Sequence, residues 1–509
     1  MKAENTKVLI IMDGVGKPED PTRSAVLKEN TKYLQYLQQH YPNGLLEASE
    51  ESVGLPKGQT GTSDVGHLTI GTGRVVYQPL VRINKDIESG EFFKNPAILK
   101  AINNAKNNNK ALHLVGIPTD GGVHSHIDHL LTLLEFCKKQ KLKNVYVHFI
   151  ADGRDTPPKS AIEYLNKVQS KINDLGVGEI INVVGRVYAL DRDNNWDRVE
   201  IAYNMMINGK GERTQNLVDA ILKAYSSGLT DEFLLPILKS DDNGNVKTIK
   251  KGDSVIIYNY RADRERQLAY ALSDENTLDY TKKLDLTLCC MTEYDEDLKL
   301  VDVAYPNITH KNMLSQVLSE RGYKQLKIAE TEKYAYVTFA FNAGLNEPFK
   351  NEDRCLVASE KLKIYNKKPE MSAREIAQKA VEAINSKKYD CIIINFANGD
   401  MVGHSGDKEA TKIAIGVVDE CVQKVSEATL AAGGELIITA DHGNSDVMQY
   451  TDGSPHTAHT KNLVPVFIVG RQFKGKKFEI SGTLADVAPT YLKLLGETVP
   501  LEMTGKPLY

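Results

Sequence analysis

The sequence lacks the features that mark membrane, secreted and nucleic-acid-binding proteins. No apolar run approaches the roughly 20 residues that a membrane-spanning helix needs, and the run at 8–12 is too short for the apolar region of a signal peptide. The formal net charge of the 509 residues is only −4, so no strong overall field favours nucleic acid or an anionic membrane. These absences predict a cytoplasmic protein with neither kind of partner.

Cysteine pairs, internal repeats and low-complexity tracts are absent as well. The six cysteines form no Cys-x-x-Cys pair and, in a chain of this size, do not indicate a disulfide framework. Hydrophobic residues make up 41% and charged residues 26%, which is ordinary for a globular protein. The length exceeds what one hydrophobic core supports, so we expect at least two domains.

Short apolar segments that end in polar residues recur along the chain. Towards its two ends they lie at 8–12, 391–396 and 436–440. Unbroken apolar runs of this length are typical of strands that are buried on both faces of a parallel sheet. Helical patterns at 373–385 and 410–431 lie between them. The sequence therefore predicts an α/β fold whose functional residues lie beyond the carboxyl ends of the strands.

Acidic residues and histidines follow these outer strands or lie in nearby loops. We call them the acidic cluster: Asp13, Asp400, His404, Asp441, His442 and His459. Asp400 and His404 are spaced to face one way on a helix. Mixed carboxylate and imidazole ligands suit Mn²⁺, Zn²⁺ or Fe²⁺ better than Mg²⁺. Each residue alone could serve a turn or a cap, but three strands that each deliver an acid favour a metal site.

Ser63 is the candidate nucleophile. It follows a glycine-containing turn at 58–62 and precedes a possible helix. A serine at a helix N-terminus meets free backbone N–H groups and the positive end of the helix dipole, which favours a phosphate on its oxygen. A metal ion on that oxygen would make it a nucleophile at neutral pH. The alternative is an ordinary N-cap serine.

Arginines follow the strands in the middle of the chain. We call them the arginine cluster: Arg154, Arg186, Arg192, Arg261 and Arg264. Arg261 and Arg264 can share a helix face, and guanidinium groups bind phosphate and carboxylate oxygens two at a time. Asp155 is a candidate proton shuttle or a salt-bridge partner. Lys333 is a further candidate anion contact.

Histidines at 124, 126 and 129 permit a second metal site by spacing alone. We favour instead a helix that begins here, with Ser125 as the N-cap and Asp128 completing a capping box.

Long motifs in a fixed order cover almost the whole chain. They lie at 13–14, 61–67, 152–158, 261–264, 333–334, 368–371, 400–404, 441–444 and 455–460. Together they resemble the cofactor-independent, or 2,3-bisphosphoglycerate-independent, phosphoglycerate mutases of the alkaline phosphatase superfamily. Thr60, Thr62, Asp64 and Ala343 stand where this family usually has methionine, asparagine, glutamate and glycine.

The resemblance implies an α/β fold with two domains. Residues 1–76 and 311–509 would form a phosphatase-like, metal-binding domain with a mostly parallel sheet. Residues 77–310 would form an inserted, transferase-like α/β domain that binds the substrate.

The resemblance also implies the reaction. The enzyme would be an isomerase of glycolysis and gluconeogenesis that interconverts 3-phosphoglycerate and 2-phosphoglycerate through a phosphoserine at Ser63. It would need two divalent metal ions, with Mn²⁺ expected first and Mg²⁺, Co²⁺ or Zn²⁺ as alternatives, and no 2,3-bisphosphoglycerate. A cytoplasmic monomer is expected.

The roles of individual residues follow from the same resemblance. One ion would be bound by Asp400, His404 and His459. The other would be bound by Asp13, Ser63, Asp441 and His442. Asp155, Lys333 and Arg261 would act with Ser63 in catalysis. The substrate contacts would be His124, Arg154, Asp155, Arg186, Arg192, Arg261, Arg264 and Lys333.

Two alternatives remain at this stage. The first is a phosphatase or a phosphopentomutase-like enzyme of the same superfamily, against which the arginine-rich middle segment argues. The second is a metal-stabilised binding protein without turnover, against which the complete set of ligands and Ser63 argues. Mutases that use a histidine nucleophile are excluded, because the sequence contains no Arg-His-Gly motif.

Overall fold

The computed structural model describes residues 5–274 and 278–509. The chain divides into two compact units. The outer unit comprises Met1–Gln78 and Thr309–Tyr509, and the inserted unit comprises Pro79–Ile308. The boundaries expected from the sequence, 76/77 and 310/311, each lie two residues from these divisions.

Strands occur in both units. In chain order they are β1 (Lys7–Met12), β2 (Asn43–Glu47), β3 (Leu112–Gly116), β4 (Val145–Ala151), β5 (Glu179–Gly185), β6 (Glu212–Thr214), β7 (Ile237–Lys239), β8 (Ser254–Ile257), β9 (Thr287–Thr292), β10 (Asp302–Tyr305), β11 (Gln325–Glu330), β12 (Glu352–Val357), β13 (Cys391–Phe396), β14 (Glu435–Thr439), β15 (Val464–Val469) and β16 (Ile480–Thr483).

The α-helices alternate with most of these strands. In chain order they are α1 (Lys32–His40), α2 (Ser63–Thr72), α3 (Pro79–Ser89), α4 (Pro96–Asn107), α5 (Ile127–Lys139), α6 (Ala161–Leu175), α7 (Arg186–Ala189), α8 (Trp196–Asn208), α9 (Leu217–Ser226), α10 (Ala262–Leu272), α11 (Leu314–Glu320), α12 (Thr331–Ala335), α13 (Ala373–Asn385), α14 (Asn398–Gly403), α15 (Lys408–Ala431) and α16 (Val487–Leu494).

The outer unit is built on a mostly parallel sheet with the order β12-β11-β13-β1-β14-β15-β2-β16. Only β15 runs antiparallel to its neighbours among the described pairings. The apolar strand β1 lies between β13 and β14, with Met12 opposite Phe396 and Ile11 opposite Thr439. The segments that follow these three strands therefore leave the sheet at the same edge.

The inserted unit has its own mostly parallel sheet, with the order β10-β9-β8-β3-β4-β5-β7-β6. Its strands bury both faces, as alternation along β8 shows. Ile256 packs into one buried cluster, whereas Val255 and Ile257 pack into another. Because successive side chains of a strand point to opposite faces, each face carries its own core. The predicted α/β class, with two α/β units, is confirmed.

Two local predictions in the inserted unit are wrong. The N-cap of α5 is His126, whose ring accepts a hydrogen bond from the Asp128 backbone N–H, and the Ser125 hydroxyl instead donates to the carbonyl of Ile117. Arg261 lies in extended conformation at the N-cap of α10, so it does not share a helix face with Arg264. Among the described residues, no helix combines the length and apolar character needed to span a membrane.

Candidate active site

The outer unit brings the acidic cluster together at the carboxyl edge of its sheet. Asp13 directly follows β1, Asp441 and His442 follow β14, and Asp400 lies in α14, which begins two residues after β13. All four side chains are buried. Such clustering follows from the parallel sheet, since its strands end at a common edge.

Glycine permits the close approach of two of these segments. Gly14 has a φ of +73°, and a Cβ atom there would lie 2.7 Å from the Cα atom of Asp400. Any side chain at this position would clash with the backbone of α14. Gly14 therefore lets the segments that carry Asp13 and Asp400 meet.

Ser63 is the first residue of α2 and is buried within this cluster. Its Oγ lies 3.0 Å from His442 Nε2, 3.3 Å from Asp13 Oδ1 and 2.6 Å from Lys333 Nζ. Carboxylate, imidazole and ammonium groups thus surround one hydroxyl. This arrangement can activate an oxygen and stabilise an anion that forms on it.

Lys333 carries the positive charge nearest to Ser63. Its ammonium also lies 2.7 Å from Asp13 Oδ1 and 2.6 Å from Asp400 Oδ2. Burial lowers the pKa of Lys333, but the two carboxylates outweigh this effect and raise it above its ordinary value. Burial raises the pKa of Asp400, yet Lys333 and the neighbouring histidines hold it well below its usual range. Lys333 and Asp400 are therefore charged at neutral pH, whereas burial and the charges of Asp441 and Asp400 raise the pKa of Asp13.

The imidazoles of His404 and His459 converge on one oxygen. Their Nε2 atoms lie 3.1 and 3.0 Å from Asp400 Oδ1, and 3.1 Å from each other. Their Nδ1 atoms are hydrogen-bonded to the backbone carbonyls of Thr457 and Gly61, at 2.8 and 2.7 Å. Histidines whose Nδ1–H is held in this way present Nε2 lone pairs for a metal ion.

The residues present fit divalent cations. Ligand atoms lie close together in two groups, Asp400 with His442 and His459, and Asp13 with His67 and Asp441. Burial raises the pKa of Asp13, and so do the charges of Asp441 and Asp400, so these three buried carboxyl groups repel one another. Buried charge of this kind is costly unless it is neutralised. The mixed oxygen and nitrogen donors suit Mn²⁺, Zn²⁺ or Fe²⁺.

The inserted unit assembles part of the arginine cluster around Arg186, which is buried. Its guanidinium donates hydrogen bonds to Asp152 and Asp155, and its Nη2 lies 2.7 Å from His124 Nε2. Burial and the charge of Arg186 lower the pKa of His124 to about 4, so this imidazole is neutral at pH 7. Neutral His124 can accept the hydrogen bond that Arg186 donates.

The remaining arginines are more exposed. Arg192 Nη1 and Arg261 Nε contact opposite oxygens of Asp263, at 2.8 and 2.7 Å. Arg264 Nη1 donates to the carbonyl of Leu190, and Arg154 is 56% exposed in its side chain. Burial lowers the pKa of Arg264, and so do nearby arginines. Like charges held together in this way favour a bound anion.

Several residues that contact the two clusters were not among the site residues predicted from the sequence. His67 and Asn395 are buried against Asp441 and Asp13, and Asp152 and Asp263 are the acidic partners of the arginines. Two of them left a signal. His67 stands four positions after Ser63 on α2, and Asn395 interrupts the apolar run of β13.

Comparison with known proteins decides the family. A 2,3-bisphosphoglycerate-independent phosphoglycerate mutase of Clostridium novyi (strain NT) is 48% identical over 509 residues, which cover 100% of both chains. One of Clostridium perfringens (strain SM101 / Type A) is 48% identical over 98% of each chain. The chain belongs to the 2,3-bisphosphoglycerate-independent phosphoglycerate mutase family. The resemblance stated from the motifs is thereby confirmed.

Two further comparisons agree with this family. The model for the BPG-independent PGAM N-terminus (iPGM_N) matches residues 83–296, which lie within the inserted unit. A solved structure of Leishmania mexicana phosphoglycerate mutase, determined at low cobalt concentration, is 28% identical and covers 100% of this chain and 99% of its own. Its TM-score is 0.57. The phosphoglycerate mutases thus match this chain in sequence along nearly its whole length and also in fold.

Proposed function

We propose that the chain interconverts 3-phosphoglycerate and 2-phosphoglycerate, with Ser63 as the transient carrier of the phosphate. The observation that carries the proposal is the position of Ser63 Oγ, within 3.3 Å of Asp13, His442 and Lys333 in a buried cluster. Membership of a family named for this reaction supports the same substrates. The product and the substrate are isomers, so the enzyme is an isomerase.

The outer unit would perform the phosphoryl transfer. Asp400, His404 and His459 would hold one divalent ion, and Asp13, Ser63, Asp441 and His442 would hold the other. Bound metal ions supply positive charge to the phosphate oxygens and lower the pKa of a serine hydroxyl. Lys333 would stabilise negative charge next to Ser63 Oγ, since its ammonium already lies 2.6 Å from that atom. Mn²⁺ is our first candidate.

The inserted unit would hold the glycerate. The arginine cluster supplies paired N–H donors that match carboxylate and phosphate oxygens. Burial raises the pKa of Asp155, but Arg186 outweighs this and lowers it, so the carboxylate is ionised and can accept a proton from a glycerate hydroxyl. His124, neutral and in contact with Arg186, would be a further substrate contact. We expect a cytoplasmic monomer.

A coupled assay tests the proposal. Turnover of 3-phosphoglycerate would be followed with enolase, without added 2,3-bisphosphoglycerate, after chelation of metal and after separate readdition of Mn²⁺, Mg²⁺, Co²⁺ and Zn²⁺. We expect activity to disappear with the metal and to return most fully with Mn²⁺. An absolute requirement for 2,3-bisphosphoglycerate, or full activity of the metal-free protein, would contradict the proposal.

A further inference from the structure

His67 and Asn395 form a buried polar connection beneath the acidic cluster. His67 lies on α2 and Asn395 lies on β13, and neither side chain is exposed to solvent. Buried polar groups are costly unless they are hydrogen-bonded, so the contacts of these two side chains reduce the free-energy cost of burying them. None of the contacts reaches Ser63 Oγ, which distinguishes the pair from the groups that surround the hydroxyl.

The hydrogen bonds fix the orientation of the Asn395 amide. Its Nδ2 lies 2.8 Å from Asp13 Oδ2 and 3.0 Å from His67 Nε2. The atom that faces Asp13 is the NH₂ group, which donates a hydrogen bond to Asp13 Oδ2. The second hydrogen of the same NH₂ group is then directed at His67 Nε2, which must be the acceptor.

This orientation also fixes the tautomer of His67. Because Nε2 accepts this hydrogen bond, Nδ1 is the ring nitrogen that carries a proton. His67 Nδ1 lies 2.9 Å from the backbone carbonyl of Ser63 and 3.2 Å from Asp441 Oδ2. The N–H therefore points at the start of α2 and at a second carboxylate. One continuous chain of polar contacts links Asp13, Asn395, His67 and Asp441.

We propose that His67 and Asn395 are positioning residues for the metal-binding carboxylates of Asp13 and Asp441. Asn395 engages Asp13 Oδ2 and leaves Oδ1 beside Ser63 Oγ, at 3.3 Å. His67 Nδ1 lies 3.2 Å from Asp441 Oδ2, and the other oxygen of Asp441 accepts a hydrogen bond from the Gly14 backbone N–H at 3.3 Å. Loss of a group that orients a metal ligand in this way weakens metal binding by about 10–100-fold.

This inference rests on the proposed metal-dependent function and is tested by binding rather than turnover. The dissociation constant for Mn²⁺ would be measured by titration calorimetry on metal-free protein. His67→Phe keeps the ring shape but removes both polar atoms, and Asn395→Ala removes the donors at the other end of the chain. We expect each to weaken Mn²⁺ binding by about 10–100-fold.

A conservative variant and a matched control sharpen the test. His67→Asn places an amide N–H where Nδ1 lies, so it should recover part of the affinity that His67→Phe loses. Thr69→Val is the control, because Thr69 is buried on the same helix and its hydroxyl has no hydrogen-bond partner among the described residues. It should bind Mn²⁺ as the wild type does.

The outcomes separate the two proposals. If wild-type protein binds no Mn²⁺, the proposed metal dependence fails. If the wild type binds Mn²⁺ and His67→Phe or Asn395→Ala, folded by circular dichroism, binds equally well, only the positioning role fails. Should His67→Phe not fold, Asn395→Ala and His67→Asn decide the question. The double variant His67→Phe/Asn395→Ala tests whether the two residues act together. If its loss of Mn²⁺-binding free energy equals the sum of the two single losses, the connected chain of contacts is also overturned.

Discussion

Glu265 offers the sharpest prediction for stability. Its side chain lies on α10, is completely buried, and accepts a hydrogen bond from the Asn259 amide. Its Oε2 has no hydrogen-bond partner among the residues that the structure describes. Burial raises the pKa of Glu265 from its ordinary value of 4.5 to about 8. The folded protein therefore keeps this carboxyl protonated at neutral pH, whereas the unfolded chain ionises it.

The sign and size of the effect follow from this difference. The protonated Glu265 carboxyl group contributes stability that is fully present below pH 4.5, the pKa of this group in the unfolded chain. This stability is lost as the pH rises through about 8, the pKa in the folded protein. Each pH unit in this window costs about 1.4 kcal/mol, because the unfolded chain has released a proton that the folded chain retains. Between about pH 5 and about pH 8 the total is about 3–4 kcal/mol.

The perturbation is Glu265→Gln, which removes the titration but keeps the shape and the oxygen that accepts from Asn259. Urea unfolding would be followed by tryptophan fluorescence across the pH range. Trp196 is the single tryptophan of the chain, and its ring lies 6.0 Å from Tyr270 of α10, so it reports on the unit that contains Glu265. We expect the variant to become more stable than the wild type as the pH rises.

A control and a refuting result complete the experiment. Glu88→Gln removes an exposed glutamate of α3 in the same unit and should follow the wild type at every pH. The free energies of unfolding of Glu265→Gln and the wild type should differ by about 3–4 kcal/mol more at about pH 8 than at about pH 5. A difference that does not depend on pH would refute the reasoning that Glu265 is protonated in the folded protein.

Three further predictions concern the proposed reaction. Ser63→Ala should keep the thermal melting temperature of the metal-free protein and abolish turnover in the enolase-coupled assay, because no other oxygen takes the phosphate; substantial remaining activity would exclude the phosphoserine. The hydrogen bond from His404 to Asp400 raises the pKa of His404. As the pH falls through this pKa, protons compete with the metal ion for the imidazole nitrogen. Calorimetric Mn²⁺ affinity and activity should therefore fall together on acidification, with activity partly restored by added Mn²⁺, and an affinity independent of pH would contradict this. Arg261→Ala should cost about 2–5 kcal/mol of transition-state binding and raise the ratio of free phosphate released to 2-phosphoglycerate formed. Arg266→Ala, which removes an exposed arginine of α10 paired with Asp295, should leave that ratio unchanged. An unchanged ratio with full turnover in Arg261→Ala would show that Arg261 does not hold the glycerate.

The sequence was most informative where an apolar strand ends in a functional residue. The run at 8–12 predicts a buried parallel strand, and β1 is that strand, directly followed by Asp13. The helical patterns at 373–385 and 410–431 correspond to α13 and to most of α15. These features depend on local hydrophobic periodicity, which the sequence displays directly. The grouping of Asp13, Asp400 and Asp441 then follows from parallel topology alone.

Contacts between distant segments could not be predicted in the same way. Asn395 contacts Asp13 across 382 positions of the chain, and nothing in the local pattern says that its amide meets that carboxylate. The prediction for the start of α5 was wrong because a hydrogen-bond partner outside the helix was not foreseen. Ser125 has the residue type of an N-cap, but the carbonyl of Ile117 takes its hydroxyl, so His126 caps the helix instead. A hydrogen-bond partner outside the helix thus overrides the local preference for serine as the N-cap.

Both clusters are electrostatically unfavourable in ways that a bound ligand would relieve. In the outer unit, burial and the charges of Asp441 and Asp400 raise the pKa of Asp13, and buried carboxylates without compensation destabilise a fold. In the inserted unit, burial lowers the pKa of Arg264, and so do the neighbouring arginines, which repel it. Neither arrangement is what selection for stability alone would produce, because apolar residues in these positions would fold more favourably. Stability lost at these two sites is therefore best explained by a requirement for cations at one and for an anion at the other.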